Sequence, residues 1–342
     1  MRVEQLTFTR FLAAISIVIF HYGTKGSLID DQFLFIFRNA NVGVSYFYIL
    51  SGFVMIVAYG KKSHIDFYKY IKNRLARIYP VYFLAILTIF FIASIRIEDF
   101  ILNIFMIQSW VPEKALTVNF TGWSISVEFF FYITFPFLLN KIYSKKRLRN
   151  ITIFVLVFWL ISQLLLHLLY YGKIPLMFYN MKDIFYHPIM HFNEFLIGNL
   201  TGLFFIQKKV KISSKYNSLM LIVMLLLLIF LLKYSFGLIF HNGLLAILFV
   251  PIILLISSND SYIMKLISKK PFIFLGEISF GMYILQFPVW GFFSDYRMEK
   301  YFGLSKEAFY CENFFLRLFI LIILSIISYL FFENPLRTKI KK

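Results

Sequence analysis

Long apolar runs dominate this chain, and short polar segments separate them. The runs lie at about 7–22, 42–60, 79–95, 122–140, 151–171, 192–207, 217–234, 238–257, 273–293 and 314–332. A helix needs about 20 mostly apolar residues to cross the hydrocarbon core of a bilayer, and these runs come close to that length. Because a backbone in lipid must satisfy its own hydrogen bonds, the pattern predicts an all-α, polytopic transmembrane helix bundle with about ten spanning helices.

The composition excludes the common soluble classes. The 342 residues are 60% hydrophobic, 21% aromatic and 15% charged, whereas a soluble domain is typically about 45–50% apolar and about 25% charged. The single cysteine, Cys311, rules out an intramolecular disulfide. Because no polar segment is long enough to bury a core of its own, residues 1–342 are predicted to form a single transmembrane domain without an appended soluble domain.

The net charge of +18 would suggest a nucleic-acid partner in a soluble protein. Here most basic residues fall in alternate loops, at 61–77, 141–149, 208–215, 265–270 and 337–342. An excess of Lys and Arg marks the cytoplasmic loops of membrane proteins. The distribution therefore predicts a cytoplasmic N-terminus and a cytoplasmic C-terminus, and no nucleic acid is expected to bind.

Arg10 and His21 are the first ionisable residues that fall within or beside an apolar run. They are eleven residues apart, so they share one face of a helix and lie about 16 Å apart along its axis. A desolvated imidazole stays neutral and can accept a proton, which suits a general base or an acyl-accepting nucleophile. The alternative is that Arg10 is a topology anchor and His21 lies at the outer interface.

Arg74 and Arg77 precede the third apolar run. On a helical wheel they border the apolar face of Phe67, Ile71 and Leu75, and their three-residue spacing makes them neighbours. Guanidinium groups bind phosphate through paired hydrogen bonds better than lysine does. A phosphate site is favoured slightly over simple positive-inside anchoring.

A polar stripe opens the fourth run, where Ser124, Glu128 and Tyr132 lie near one face of an otherwise Phe-rich helix that begins close to Trp123. A buried carboxylate needs a partner, and His21 or an arginine is the expected one for Glu128. A structural network of hydrogen bonds between helices is the alternative.

His187, His191 and Glu194 have a spacing that resembles a metal-ligand set. Pro188 directly follows His187 and disfavours a continuous helix through it. The sequence therefore predicts an outer interfacial loop here and no metal site.

These blocks together resemble the acyltransferase-3 family of bacterial integral-membrane O-acyltransferases. The family's Arg-x10-His signature corresponds to Arg10 and His21. The remaining matching blocks are Gly43-Val-Ser-Tyr-Phe47 through Ser51-Gly52-Phe53, Arg74-x-x-Arg77-x-Tyr79-Pro80, Trp123-Ser124-x-Ser126-x-Glu128, Gly276-Glu277-x-Ser279-Phe-Gly281-x-Tyr283 and Glu333-x-Pro335. Many members carry a histidine where this chain has Gln286, so a role for a second histidine is not carried over.

The resemblance implies a multi-pass protein of the bacterial plasma (inner) membrane. Such a protein transfers an acyl group, most often acetyl, from cytoplasmic acetyl-CoA to a hydroxyl of a cell-surface or lipid-linked saccharide such as a polysaccharide or lipopolysaccharide. The expected partners are acyl-CoA, the saccharide or lipid-linked glycan and the lipid bilayer, without a metal; a homo-oligomer is compatible with the pattern.

Combining the resemblance with the residue patterns gives each candidate a role. Arg10, Arg74 and Arg77 are expected to hold the phosphates of the donor. His21 acts as base on the sugar hydroxyl or takes the acyl group transiently, and Glu128 orients it or compensates its charge. The residues expected to line or support the pore are Ser51, Tyr79, Trp123, Ser124 and Tyr132. The competing interpretation is a flippase or proton-coupled transporter of a saccharide-lipid, because such proteins also bury His, Arg and Glu.

Overall fold

The computed structural model describes residues 3–24, 28–175, 180–207, 214–305 and 309–341, and its regular secondary structure over these ranges is entirely helical. Nine of the helices within them are long and apolar enough to cross a membrane. The predicted all-α polytopic bundle is therefore confirmed. The basic residues at 208–213 and Lys342, which contributed to the predicted orientation, lie outside the described residues.

The spanning helices alternate with short ones. The long helices are α1 (Gln5–Tyr22), α3 (Val42–Tyr59), α4 (Phe67–Ile92), α6 (Trp123–Phe137), α7 (Leu148–Tyr170), α9 (Pro188–Ile206), α10 (Ser214–Lys233), α13 (Lys270–Phe292) and α15 (Tyr310–Ser328). The shorter ones are α2 (Asp31–Arg38), α5 (Ile97–Ile104), α8 (Met181–Tyr186), α11 (Ala246–Ser257), α12 (Tyr262–Ile267), α14 (Asp295–Phe302) and α16 (Asn334–Lys341). Helices α6 and α15 continue as π-helices over Leu138–Tyr143 and Tyr329–Glu333.

Two predicted spans differ from the observed helices. Helix α4 begins at Phe67 rather than near 79, because Asp66 caps its N-terminus by accepting a hydrogen bond from the Lys69 amide at 2.7 Å. The run 238–257 was predicted to be one span, but only Ala246–Ser257 is helical. The first half of that prediction is wrong because Asn242 and Gly243 have positive φ, which a right-handed helix does not accommodate.

Two close pairs of parallel helices organise the bundle. Helices α1 and α13 run side by side, with the backbone of Thr7 against Gly276 near one end and the ring of Tyr22 on Trp290 at the other. Helices α3 and α9 approach closely where Gly52 faces the backbone of Phe195 and Gly198 faces that of Ile49. The first pair therefore spans the whole distance from Arg10 to His21.

Replacing Gly198 by alanine adds one methyl group and so tests the close contact between α3 and α9. A Cβ at Gly198 would lie 2.0 Å from the Ile49 carbonyl oxygen, a backbone atom that cannot rotate away. Gly198→Ala is expected to destabilise the protein by about 1–3 kcal/mol, as overpacking does, and to lower its unfolding temperature in circular dichroism. The matched control is Gly43→Ala, whose Cβ would lie 3.3 Å from the Ile17 side chain and 3.7 Å from the Ala13 carbonyl oxygen, with no contact as short as the one at Gly198. Equal unfolding temperatures for the two variants would contradict the close contact.

The segment between α4 and α6 folds back against the bundle instead of crossing it. Asn103, Gln108 and Asn119 on it are fully buried. Lys114 Nζ lies 2.7 Å from Asp99 Oδ1. Burial acts to raise the pKa of Asp99, but the hydrogen bonds and charges of Lys114 and Arg96 outweigh it and lower that pKa. The Lys114–Asp99 ion pair therefore stabilises the folded protein above the ordinary pKa of an aspartate. This stabilisation is lost as the pH falls through the lowered pKa of Asp99.

Candidate active site

A cavity of about 110 Å³ lies inside the bundle between α1, α3, α4, α6 and α13. It is called here the arginine cavity. Its polar lining residues are Arg10, Tyr48, Ser51, Arg74, Arg77, Ser124, Glu128, Tyr132, Ser279 and Tyr283. The three arginines that the sequence singled out are therefore brought together, although Arg10 is separated from the other two by more than 60 residues.

The arginine cavity carries an excess of positive charge, because three guanidinium groups face one carboxylate in its lining. The guanidinium of Arg74 lies 5.2, 5.3 and 5.8 Å from the ring centroids of Tyr59, Tyr70 and Tyr132. Such cation–π contacts stabilise a desolvated cation without using its N–H donors. The Nε of Arg74 is buried and has no hydrogen-bond partner, so this donor can bind an anion.

Glu128 belongs to the arginine cavity and not to the surroundings of His21. The hydroxyl of Tyr132, one turn further along α6, donates a hydrogen bond to Glu128 Oε1 at 2.5 Å. Of the two partners expected for Glu128, His21 is wrong in this structure, whereas the arginines line the same cavity as Glu128. The physical reason is the direction of α6, which leads away from His21. Glu128 therefore lies deeper in the bundle than Phe120, whose ring centroid is 4.6 Å from that of His21.

His21 lines a second cavity of about 350 Å³ at the opposite end of α1, called here the histidine cavity. Aromatic rings form much of its wall: Tyr22, Phe120, Phe287, Trp290, Tyr310 and Phe314. Its charged residues are Asp295 and Arg317, which form an ion pair at 2.7 Å. The imidazole is partly buried and lies about 16 Å along α1 from Arg10.

The two cavities have no lining residue in common within the described part of the chain. Along α13, Tyr283 lines the arginine cavity and Phe287, one turn further, lines the histidine cavity. Between them the Tyr283 hydroxyl lies 3.4 Å from the Thr121 carbonyl oxygen.

A second hydrogen bond also lies between the arginine cavity and the histidine cavity. The Asn119 side chain donates to the Ile284 carbonyl oxygen at 3.0 Å, which has lost its helical partner because Pro288 has no N–H. We call Asn119, Thr121, Tyr283 and Gln286 the dividing layer. The expected polar pore from Arg10 to His21 is therefore not continuous in this structure: its two ends are separate cavities, and the hydrogen bonds of Tyr283 and Asn119 lie between them.

The predicted supporting residues divide into two groups. Ser51, Ser124 and Tyr132 line the arginine cavity. Tyr79 and Trp123 lie outside it: Tyr79 stacks on Phe83, and the Trp123 ring lies 5.2 Å from that of His191. Trp123 therefore packs at the start of α6 without facing the arginines.

His191 and Glu194 are fully buried on α9, and the predicted interfacial loop is wrong. Pro188 occupies the first turn of α9, where proline is favoured, so it starts the helix instead of interrupting it. His191 Nδ1 lies 2.7 Å from Glu194 Oε2, and its Nε2 lies 2.8 Å from the Phe185 carbonyl oxygen. No group of three or more His, Cys, Asp or Glu side chains suited to a metal ion occurs among the residues that the structure describes.

Sequence reasoning did not assign Ser279 or Tyr283 to the site, although both fall in a block that it quoted. It also missed Asn313 and Arg317 in the histidine cavity. Arg317 could have been identified from the sequence, because a charged residue inside the last apolar run is costly unless it is paired or functional.

Comparisons with known proteins agree with this architecture. Residues 3–333 match the Acyltransferase domain of the acyltransferase-3 family. The chain is 30% identical over 151 residues to the acyltransferase MdmB of Streptomyces mycarofaciens, an alignment that covers 40% of this chain and 38% of MdmB.

Two further relatives align along almost the whole chain. It is 23% identical to the O-acetyltransferase OatA of Staphylococcus aureus, over 96% of this chain and 56% of OatA. It is also 23% identical to the putative peptidoglycan O-acetyltransferase YrhL of Bacillus subtilis, over 96% of this chain and 54% of YrhL. The chain thus spans about half the length of these two relatives. No solved structure matches it. Since the family match covers nearly every helix described above, the chain belongs to the acyltransferase-3 family, and its helical bundle is a membrane acyltransferase domain.

Proposed function

We propose that this protein is a membrane O-acetyltransferase that takes the acetyl group from acetyl-CoA at the arginine cavity and delivers it to a saccharide hydroxyl at His21. The observation that carries the proposal is the arginine cavity itself, where three guanidinium groups meet inside an apolar bundle. Burying such charges is costly, and an anionic substrate offsets that cost. The names of OatA and YrhL supply the acetyl group and, in YrhL, a peptidoglycan acceptor.

The arginine cavity is too small to enclose the whole of acetyl-CoA. A volume of about 110 Å³ is below the roughly 300–1,000 Å³ of pockets that enclose a drug-sized ligand. It therefore encloses only part of acetyl-CoA: Arg10, Arg74 and Arg77 bind the phosphates, the nucleoside stays at the cavity mouth, and the narrow pantetheine arm extends towards His21. Arg77 lies at this mouth, because it also lines a small neighbouring pocket with Glu333 and Arg337. These groups belong to the end of the bundle that the charge pattern assigns to the cytoplasm.

The acceptor reaches His21 from the other end. As a neutral base, the imidazole takes the proton of the sugar hydroxyl while the hydroxyl oxygen forms the new ester bond. The thioester C–S bond breaks, and the coenzyme A thiolate takes up one proton, so protons balance over the reaction. His21 and Arg10 lie about 16 Å apart along α1, so the dividing layer must open and the pantetheine arm must carry the thioester to the histidine cavity. There the acetyl group passes to the sugar hydroxyl, either directly or through His21.

The proposal can be tested with purified protein in sealed vesicles that contain a peptidoglycan disaccharide whose lactyl carboxyl is converted to the amide, with acetyl-CoA labelled in its acetyl group outside. Acetyl transfer predicts label in an ester of the disaccharide, with one free coenzyme A formed for each ester. Protein inserted in both orientations makes the assay independent of the topology prediction. Unmodified disaccharide leaving the vesicles without consumption of acetyl-CoA would instead favour the transporter and contradict the proposal.

A further inference from the structure

The histidine cavity contains buried polar atoms that nothing in the protein satisfies. They are the hydroxyl oxygen of Tyr22, Oδ1 of Asn313 and Nε of Arg317, and all three residues line the cavity. Asn313 and Arg317 are only 3% and 6% exposed. Leaving a buried polar atom unpaired is destabilising, and such atoms in a native structure call for a partner. Three of them around one cavity indicate a ligand with several hydroxyl or amide groups.

The apolar part of the same cavity is aromatic and flat. Tyr22 and Trp290 stack with ring centroids 4.2 Å apart and an interplanar angle of 17°, and Phe314 packs at 5.9 Å from Trp290. A pyranose presents C–H groups on its ring faces and hydroxyls around its edge. The stack occupies one face of each ring, so the opposite face of the half-buried Trp290 is the one that can cover the C–H face, while the polar atoms bind the edge.

The charged residues of the histidine cavity favour neutral ligands over acidic ones. Arg317 Nη2 donates to Asp295 Oδ1 at 2.7 Å, so the two charged lining residues cancel. Asp295 is 42% exposed in its side chain and Arg317 only 7%, which places the carboxylate towards the opening. A ligand carboxylate would approach Arg317 past Asp295 and be repelled by it, whereas a pair of hydroxyls can donate to Asp295 and accept from Arg317 Nε.

We propose that the histidine cavity binds an uncharged pyranose, whose ring packs on Trp290 and whose hydroxyls bond to the Asp295–Arg317 pair, Asn313 and Tyr22. This rests on the proposed function for the placement of the sugar beside His21, and it adds the class of sugar and the residues that select it. Asp295 acts here as a filter against acidic sugars.

The test compares two ligands that differ only in charge. The probes are p-nitrophenyl β-D-glucuronide and its uncharged carboxamide. The protein is held in phosphatidylcholine nanodiscs, which contain no sugar detergent, and binding is measured by calorimetry. The carboxamide is expected to bind at least about tenfold more tightly than the carboxylate, because Asp295 brings a like charge against the carboxylate of the ligand. Equal binding, tighter binding of the carboxylate, or no binding of either probe would overturn the proposal.

Substitutions of Asp295 then test whether its charge excludes acidic sugars. Asp295→Asn leaves the charge of Arg317 uncompensated and is expected to reverse the preference towards the carboxylate, while Asp295→Glu restores the preference of the unmodified protein. A preference that stays the same in Asp295→Asn contradicts the role of Asp295. If the Asn variant does not fold, the comparison of the two probes on the unmodified protein still decides the main claim.

Acetyl transfer to the carboxamide, followed in the same samples with labelled acetyl-CoA, separates the two proposals. Selective binding without transfer would support the neutral-sugar site and count against the O-acetyltransferase. Transfer that favours the carboxylate would support the enzyme and overturn the neutral-sugar site.

Discussion

Replacing His21 by glutamine is expected to lower the rate of acetyl transfer by about 10²–10⁴-fold, the usual contribution of a positioned general base. The amide keeps the polarity and approximate size of the imidazole but cannot accept the hydroxyl proton. Since His21 lies at the wall of a cavity and is only partly buried, the bundle should tolerate the change. The measurement is the initial rate of ester formation in vesicles at saturating acetyl-CoA.

His64→Gln is the matched control for this variant. His64 is exposed in the loop between α3 and α4, so the same substitution there should leave the rate unchanged. A His21→Gln protein that folds, binds the acceptor and still transfers acetyl at more than a tenth of the normal rate would remove His21 from the chemistry. The proton acceptor would then have to be another group of the histidine cavity.

Replacing Arg74 by glutamine is expected to raise KM for acetyl-CoA by about 10–100-fold with a much smaller change in kcat. A hydrogen bond to a charged group contributes about 1.5–3 kcal/mol, and each 1.4 kcal/mol is a factor of ten in affinity. The buried Nε of Arg74 lacks a partner in the protein, so most of this contribution should come from the donor. The measurement is the dependence of the initial rate on acetyl-CoA concentration.

Two further variants separate charge from geometry at this position. Arg74→Lys keeps the charge but loses the planar fork, so its KM should fall between those of the unmodified protein and Arg74→Gln. Lys72→Gln removes an exposed charge from the same helix and should leave KM unchanged. An equal effect of Lys72→Gln and Arg74→Gln would mean that these charges only set topology, and an equal loss of donor and acceptor affinity would point to damaged folding.

The pairing of Arg74 with Arg77 could be predicted from the sequence because helix periodicity is a local property, whereas their meeting with Arg10 was expected only from the predicted topology and the family resemblance. Arg74 and Arg77 are neighbours on any α-helix, and Arg10 is placed by its position near the start of the first run. The location of His21 far along the same helix follows from the same geometry.

The partner of Glu128 could not be predicted, because it depends on the depth at which α6 begins. That depth is set by the folded-back segment between α4 and α6, whose turns have positive φ at Met106, Glu113 and Val118. None of these residue types signals such a turn. The division into two cavities has the same origin, since Asn119 and Thr121 reach the centre of the bundle from this segment.

The burial of His191 and Glu194 was missed for a different reason. A proline after His187 was interpreted as a helix break, although proline is equally favoured in the first turn of a helix. The two interpretations differ only in whether the helix lies before or after the proline. The apolar residues on both sides of Pro188 do not decide this, and only the packing of α9 against α3 does.

The dividing layer also has a consequence for the membrane that surrounds the protein. A water-filled passage as wide as these cavities, open at both ends, would conduct protons and small ions down any electrochemical gradient. With Tyr283 hydrogen-bonded to Thr121 and Asn119 to Ile284, the two cavities are separate and have no lining residue in common among the described residues. In the proposed reaction, acetyl transfer from one side of the bilayer to the other therefore does not require a permanently open path for ions.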